Sequence, residues 1–305
     1  MSNEPAAAAT DPTDGQAGPA KASVSYFLPG EPLRKAVTTY YLVRVWGEGT
    51  VTDQLFPEWA NFRVILSGAW TAKFPDRDVE AVPPIGVTGA LERAIMVTGS
   101  PGLLVGVGLM PQGWPMLTAQ PADAFANRMR PLGDAIGPAA EALSDRLRAA
   151  ADEAAIFGVL DEVLTSLLQD APEAALVGVA HAALQDPEIQ TVADWAAAVG
   201  LSPRQLERFC LRHLGLPPKR LLRRQRVLRT LAAMREAPQD GWSRSLDEQF
   251  TDQAHFIREF KHYMGQSPRA WLARERPFMA EAWRRRKALL GAPVQVLQPP
   301  SEPSA

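Results

Sequence analysis

The sequence predicts an α+β multidomain chain: an antiparallel β-barrel or sandwich, then a helical linker, then an all-α module. Three observations predict it. At 305 residues the chain exceeds one typical domain and falls short of three, and 46% hydrophobic residues can fill more than one core. Short β-branched and aromatic runs, separated by Gly, Pro and Asp clusters, occupy the stretch from Thr38 to Leu109. After Pro111 the spacing of apolar residues turns helical.

Residues 1–23 are rich in Ala, Pro, Asp and Thr and are expected to be a disordered leader. Strands are expected at 39–46, 61–66, 69–74, 94–98 and 103–109, within a β-rich sensor or dimerisation domain spanning 24–136. Helices are expected at 139–151, 154–168 and 172–185, the last two parted by a turn at Asp170-Ala171-Pro172. These make a helical linker, 137–187, that bridges the two units and offers candidate dimerisation surfaces. The all-α module covers 188–274, and 288–305 is expected to be a disordered tail.

The net charge of −2 hides a division. Residues 1–187 carry 12 Lys+Arg against 22 Asp+Glu, whereas 188–287 carry 20 against 11. A compact basic module joined to an acidic one suits a polyanion binder with a separate regulatory or assembly unit. No basic-then-apolar signal opens the chain, and the longest apolar runs, such as Leu103 to Met110, fall far short of the roughly 20 residues of a membrane span. A cytoplasmic protein without a membrane partner is expected, and the single cysteine, Cys210, cannot close an internal disulfide.

The basic module repeats itself at an interval of 50 residues. Leu206, Arg208, Cys210, His213, Leu214, Gly215, Pro218 and Lys219 fall on Phe256, Arg258, Phe260, Tyr263, Met264, Gly265, Pro268 and Arg269. Each copy reads as a helix stopped by Gly and then Pro. In the first copy, small Ala196 allows close helix approach, Gly200 makes the turn, Ser202 caps the next helix and Pro203 takes its first position. That pattern is a helix-turn-helix. Arg204, Arg208 and Arg212 recur every four residues on the outward side of its second helix, opposite Leu206, Phe209 and Cys210. In the second copy Gln253, His255, Arg258 and Lys261 face outward while Phe256 and Phe260 pack at i, i+4. Between the copies, 219–236 alternates basic and apolar residues and is expected to be one long helix, a rigid spacer suited to entering successive major-groove segments.

These motifs resemble the AraC/XylS family of bacterial transcription regulators over residues 188–274. The match rests on Ala196-x-x-x-Gly200-Leu201-Ser202-Pro203-Arg204-x-Leu206, on Gly215-Leu216-Pro217-Pro218-Lys219, and on Asp252-Gln253-Ala254-His255-Phe256-Ile257-Arg258-Glu259-Phe260 followed by Gly265-Gln266-Ser267-Pro268. The resemblance implies double-stranded DNA as partner, gripped by Ser202, Arg204, Gln205, Arg208, Arg212, Lys219, Gln253, His255, Arg258 and Lys261. It leaves room for RNA polymerase and a second copy of the chain as further partners. One departure concerns the second unit: Gln249 stands where the family places Gly at the turn, and polar Arg244 and Ser245 stand in the preceding helix. The stretch from Tyr26-Phe27-Leu28-Pro29 to Leu109-Met110-Pro111-Gln112-Gly113-Trp114 resembles the cupin-like sensor domain of one branch of that family.

A cupin-type enzyme is the rival reading. All four histidines, His181, His213, His255 and His262, lie beyond the β-rich half, which therefore offers a transition metal only carboxylates. No nucleophile and base pair in a recognisable motif. No enzyme, no metal and no cofactor are expected. Trp46, Trp59 and Trp70 are candidates to line a small-molecule effector pocket; a ligand-free dimerisation scaffold is the alternative.

Overall fold

A computed structural model describes residues 18–236 and 253–300. Within these, ten strands form two antiparallel sheets. The strands are β1 (Lys21–Phe27), β2 (Val37–Trp46), β3 (Val51–Leu55), β4 (Asn61–Ile65), β5 (Trp70–Lys73), β6 (Val79–Ala81), β7 (Ile85–Thr88), β8 (Ile95–Gly99), β9 (Gly102–Leu109) and β10 (Met129–Pro131). The larger sheet has the order β1-β2-β9-β4-β7-β10 and the smaller β3-β8-β5-β6.

Strand alternation sorts the larger sheet's side chains between two cores. Tyr40 and Leu42 of β2 join Phe62, Val64, Val105 and Val107 on one face. That face is covered by α3 (Ala139–Ala149) and α4 (Glu153–Leu167), which follow the short α1 (Gly113–Leu117) and α2 (Gly133–Ile136). Tyr40 fixes the contact by donating its hydroxyl to Asp161 Oδ1 at 2.7 Å. The other face looks toward the smaller sheet, with Val24, Val43 and Leu104 against Trp70, Ile95 and Val97. Gly106 is required here, because a Cβ would lie 2.0 Å from Cζ of Tyr41 on the neighbouring strand.

The remaining helices are α5 (Glu173–Gln185), α6 (Val192–Ala198), α7 (Pro203–Phe209), α8 (Pro218–Glu236), α9 (Gln253–Met264), α10 (Pro268–Ala273) and α11 (Met279–Leu290). Helices α5 to α10 build a third core around Trp195, Leu206, Leu221, Leu228, Phe256, Phe260 and Trp271. Phe56, Trp59, Ala90 and Ala94 of the β-rich half belong to that same core. The two halves therefore share buried surface.

Four expectations change. The antiparallel β class holds, but no pairing closes the two sheets into a barrel among the described residues. The edges β1 and β3 are instead both contacted by α11, which fills the side where closure would occur. The expected tail, 288–305, is structured to residue 300: α11 runs to Leu290, and Ala292, Val294 and Val296 are buried. Gln295 explains how a polar segment enters a core, since its side chain accepts from the Trp59 amide at 2.9 Å and donates to the Leu109 carbonyl at 2.8 Å. The expected leader gives way to β1 at Lys21, which pairs along its length with β2. The expected linker is divided, α3 and α4 belonging to the sheet and α5 to the helical core.

Candidate nucleic-acid interface

The first unit is built from local signals that agree. Thr191 and Asp194 form a capping box that starts α6, and Ser202 with Gln205 forms a second that starts α7, with Pro203 at its first position. Gly200 makes the intervening turn at φ +70°, where an L side chain would be strained. Ala196 is buried, and the indole of Trp195 donates to the Ala180 carbonyl at 3.0 Å, anchoring the unit on α5. Leu206, Cys210 and Leu214 point inward. After Phe209 the helix widens into a π turn, Cys210–Leu214, and ends at Gly215 with φ +80°. Burial pushes the Cys210 thiol pKa up, as suits a small buried apolar group.

Arg204, Arg208 and Arg212 are exposed and make no ion pair among the described residues. The π turn shifts Arg212 off the four-residue stripe expected from one regular helix. Ser202 and Gln205 play a structural part: the Gln205 side-chain oxygen accepts from the Ser202 amide at 2.8 Å and from its hydroxyl at 2.8 Å. The amide nitrogen of Gln205 stays available as a donor. Lys219 is exposed at the start of α8.

In the second unit Phe256 and Phe260 pack edge to face at 5.5 Å beneath α9. Gln253, Arg258 and Lys261 are exposed and His255 is half-buried. Glu259 is held by Arg223 of the spacer helix at 2.5 and 2.8 Å, tying α9 to α8. Helix α9 ends at Gly265 with φ +71°, and Ser267-Pro268 starts α10 with a cap from Ser267 to the Ala270 amide. The matched positions of the repeat thus share their roles. Leu206, Cys210, Leu214 and Pro218 are buried like Phe256, Phe260, Met264 and Pro268, and both glycines take left-handed φ. The departure at Arg244, Ser245 and Gln249, and Asp252, lie outside the described residues.

The last carbonyls of α9 have no partner within the helix. They are taken by the β-rich half: Arg93 Nε donates to His262 O at 2.8 Å, the Ala94 amide to Tyr263 O at 2.7 Å, and Gln54 Nε2 to Met264 O at 2.8 Å. Arg220 of α8 pairs with buried Glu92 at 2.6 Å. Among the described residues the first unit makes no such set of bonds.

Sequence reasoning missed Arg224. Its guanidinium is fully buried, lies 4.1 Å from the ring centroid of Trp59 and donates to the Leu91 carbonyl at 2.8 Å. Burial, partly offset by Tyr263 and Glu92, lowers its pKa to about 9. The signal was available, because position 224 lies on the helix face of Leu221, Leu228 and Leu231. His181 packs edge-on to the Trp59 ring at 5.7 Å, and burial with help from Arg224 lowers its pKa to about 3. Trp59 therefore packs at a junction between the halves, and it borders a small cavity with Ala60, Gly89 and Trp114. Trp46 is half-buried at the end of β2. Trp70 alone of the three borders the cavity between the sheets.

Among the described residues there is no cluster of His, Cys, Asp or Glu fit to hold a metal, and no helix long and apolar enough to cross a membrane. The helix-turn-helix domain family matches residues 195–274. No curated protein matches the chain. An apo ToxT variant from Vibrio cholerae strain SCE256 aligns over 83% of this chain and 96% of its own, at 9% identity and a TM-score of 0.39. The AraC-like transcriptional activator CuxR aligns over 68% and 87% at 14% identity and 0.29. A cupin superfamily protein from Desulfitobacterium hafniense DCB-2 aligns over 32% and 84% at 12% identity and 0.24. TM-scores this low carry no argument about function. The matched domain agrees with the geometry, a capped α7 whose π-turn continuation stops at Gly215 and an α9 that stops at Gly265: residues 195–274 are a helix-turn-helix domain.

Proposed function

We propose that the chain reads a specific duplex sequence through α7 and α9, placed in successive major-groove segments by α8. Arg204, Arg208 and Arg212 with Gln253, His255, Arg258 and Lys261 are the contact set, and Ser202, Gln205 and Lys219 approach the phosphates. The observation that carries this reading is that Arg204, Arg208, Arg212 and Arg258 are exposed and make no ion pair among the described residues, on helices whose inner faces are buried. Such guanidiniums suit bidentate contact with guanine edges and phosphates.

The β-rich half serves as the regulatory unit, acting on the second helix-turn-helix through the carbonyls it caps, under the control of a small-molecule effector. The regulator works in the cytoplasm, does no catalysis, and takes a second copy of itself and RNA polymerase as further partners. Fluorescence anisotropy of the full chain on duplexes selected from a random library tests the reading. Selected duplexes should bind at least about a thousandfold more tightly than unrelated ones, with an affinity that falls steeply as salt rises. Equal affinity for both would refute specific reading.

A further inference from the structure

Where the β-rich half meets the second helix-turn-helix unit lies a cavity of about 200 Å³, walled chiefly by Phe74, Arg77, Glu92, Arg93, Arg220 and His262. That is many times the roughly 10–15 Å³ that one water requires. Arg77 and Arg93 come from the β-rich half, Arg220 from α8 and His262 from α9, so both sides of the seam supply cationic side chains. Glu92 is buried and already engaged: it pairs with Arg220 at 2.6 Å and lies 3.5 Å from Nε2 of His262, while its amide donates to Asn127 Oδ1 at 2.8 Å. Arg93 is held by two bonds, Nε to the His262 carbonyl and Nη1 to Asp76, both at 2.8 Å. Among the described residues Nη2 of Arg93 and Nη2 of Arg220 have no acceptor. Arg77 is exposed, makes no ion pair among those residues, and rests with its guanidinium 5.1 Å from the centroid of the Phe74 ring. Three guanidiniums thus face one carboxylate across the wall, and the further anion bonded to them, Asp76, is 84% exposed.

Cations gathered round one cavity, with donors to spare, repel one another until an anion joins them. Setting Glu92 and Asp76 against the three arginines leaves one positive charge, and an imidazolium at His262 makes two. A phosphate monoester matches that surplus, since it carries about 1.5 to 2 negative charges at neutral pH. Its shape fits as well: a flat carboxylate is satisfied by one guanidinium fork, whereas a tetrahedral phosphate offers three oxygens to donors arriving from separate elements. We propose that this cavity binds a small phosphate anion, free or as a monoester, whose oxygens accept from Arg77, Arg93 and Arg220. Donors on both sides of the seam then share one ligand, so occupancy holds α9 to the β-rich half more firmly than the bonds to its last carbonyls do alone. That consequence rests on the regulator reading above, whereas the binding itself does not.

Calorimetry and thermal shift on the full chain test the proposal at neutral pH and fixed ionic strength, with inorganic phosphate and methyl phosphate as probes. Acetate and dimethyl phosphate are the controls, the latter being the singly charged diester of a nucleic-acid backbone. Both probes should saturate one site per chain at submillimolar concentration and raise Tm progressively, as a ligand of the folded state must, and the controls should not. Arg77→Ala leaves every ion pair named above intact, so the fold is kept, and it should weaken the probes at least about tenfold. Arg77→Glu should abolish their binding. No saturable binding of either probe, an equal response to acetate, or an unchanged affinity in both variants overturns the proposal. So does equal or tighter binding of dimethyl phosphate, which assigns the cavity to a DNA phosphate instead. DNA affinity measured in the same samples keeps the two readings apart: salt-sensitive binding that persists without any phosphate site removes the ligand and leaves the regulator, and phosphate binding without affinity for duplex DNA does the reverse.

Discussion

The two helix-turn-helix units share a pattern but are supported differently. The first takes its caps from its own Thr191, Asp194, Ser202 and Gln205, and meets the β-rich half by packing, its π turn lying against Ala122–Ala124. The second leans on the rest of the molecule, with the final carbonyls of α9 bonded by Arg93, Ala94 and Gln54, and Glu259 held by Arg223. Duplication supplied both with the same buried positions and the same glycine stop. What separates them is the means of contact: the β-rich half hydrogen-bonds the end of the second unit, whereas it touches the first by packing.

Four experiments would break or sharpen that contrast. Trp195→Ala should cost about 3–5 kcal/mol of stability, read by urea unfolding, because the indole is fully buried and anchors the first unit to α5. A loss under 1 kcal/mol, roughly the scale of a surface change, would show that the first unit is not held by this residue. Arg204→Ala and Arg208→Ala should each weaken binding to a selected duplex by about 1–3 kcal/mol if they read bases; a phosphate contact would instead lower the salt slope by about one. An isotherm unchanged by both substitutions would remove α7 from the interface.

The junction around Trp59 should appear in the pH dependence of stability. His181 has a folded-state pKa of about 3 against an ordinary 6.5. Between those values the unfolded chain binds the extra proton, so stability rises with pH by up to about 1.4 kcal/mol per unit and is lost as pH falls below 6.5. His181→Leu should flatten that part of the profile, and an unchanged slope would mean that the histidine does not stay neutral. The smallest effect is expected for Arg93→Ala, which frees one carbonyl of α9 at a cost of about 0.5–1.5 kcal/mol. Hydrogen exchange should quicken at the end of α9 and stay the same in α7. Equal quickening in both helices would erase the distinction between the units.

Much of this was legible where local signals agree with tertiary demand. The five strands expected between residues 39 and 109 and the three helices between 139 and 185 appear within a few residues of their expected bounds. The 50-residue repeat appears as shared burial and shared left-handed glycines. Strands β1, β3, β6, β7 and β10 were missed: β6, β7 and β10 are only three or four residues long, β1 starts inside the expected leader, and β3 carries a buried Asp53 that holds a helix more than 220 residues away. The tail was misread for a related reason. Gln295 and Gln298 look like solvated loop residues until their partners, the Trp59 amide and Arg286, are known. Arg286 itself looks like one of several basic residues on a surface helix, and only the packing of α11 across the two sheets buries it. Long-range partners of polar groups leave no trace in periodicity, so the basic face was readable and the charged cavity was not.

The central claim is that two supported helices enter neighbouring windows of one duplex. Hydroxyl-radical footprinting of the full chain on a selected site measures this directly. The account predicts two protected stretches centred about 10 base pairs apart on one face of the helix, with Arg208→Ala weakening one and Arg258→Ala the other. A single protected stretch, weakened alike by both substitutions, would contradict it.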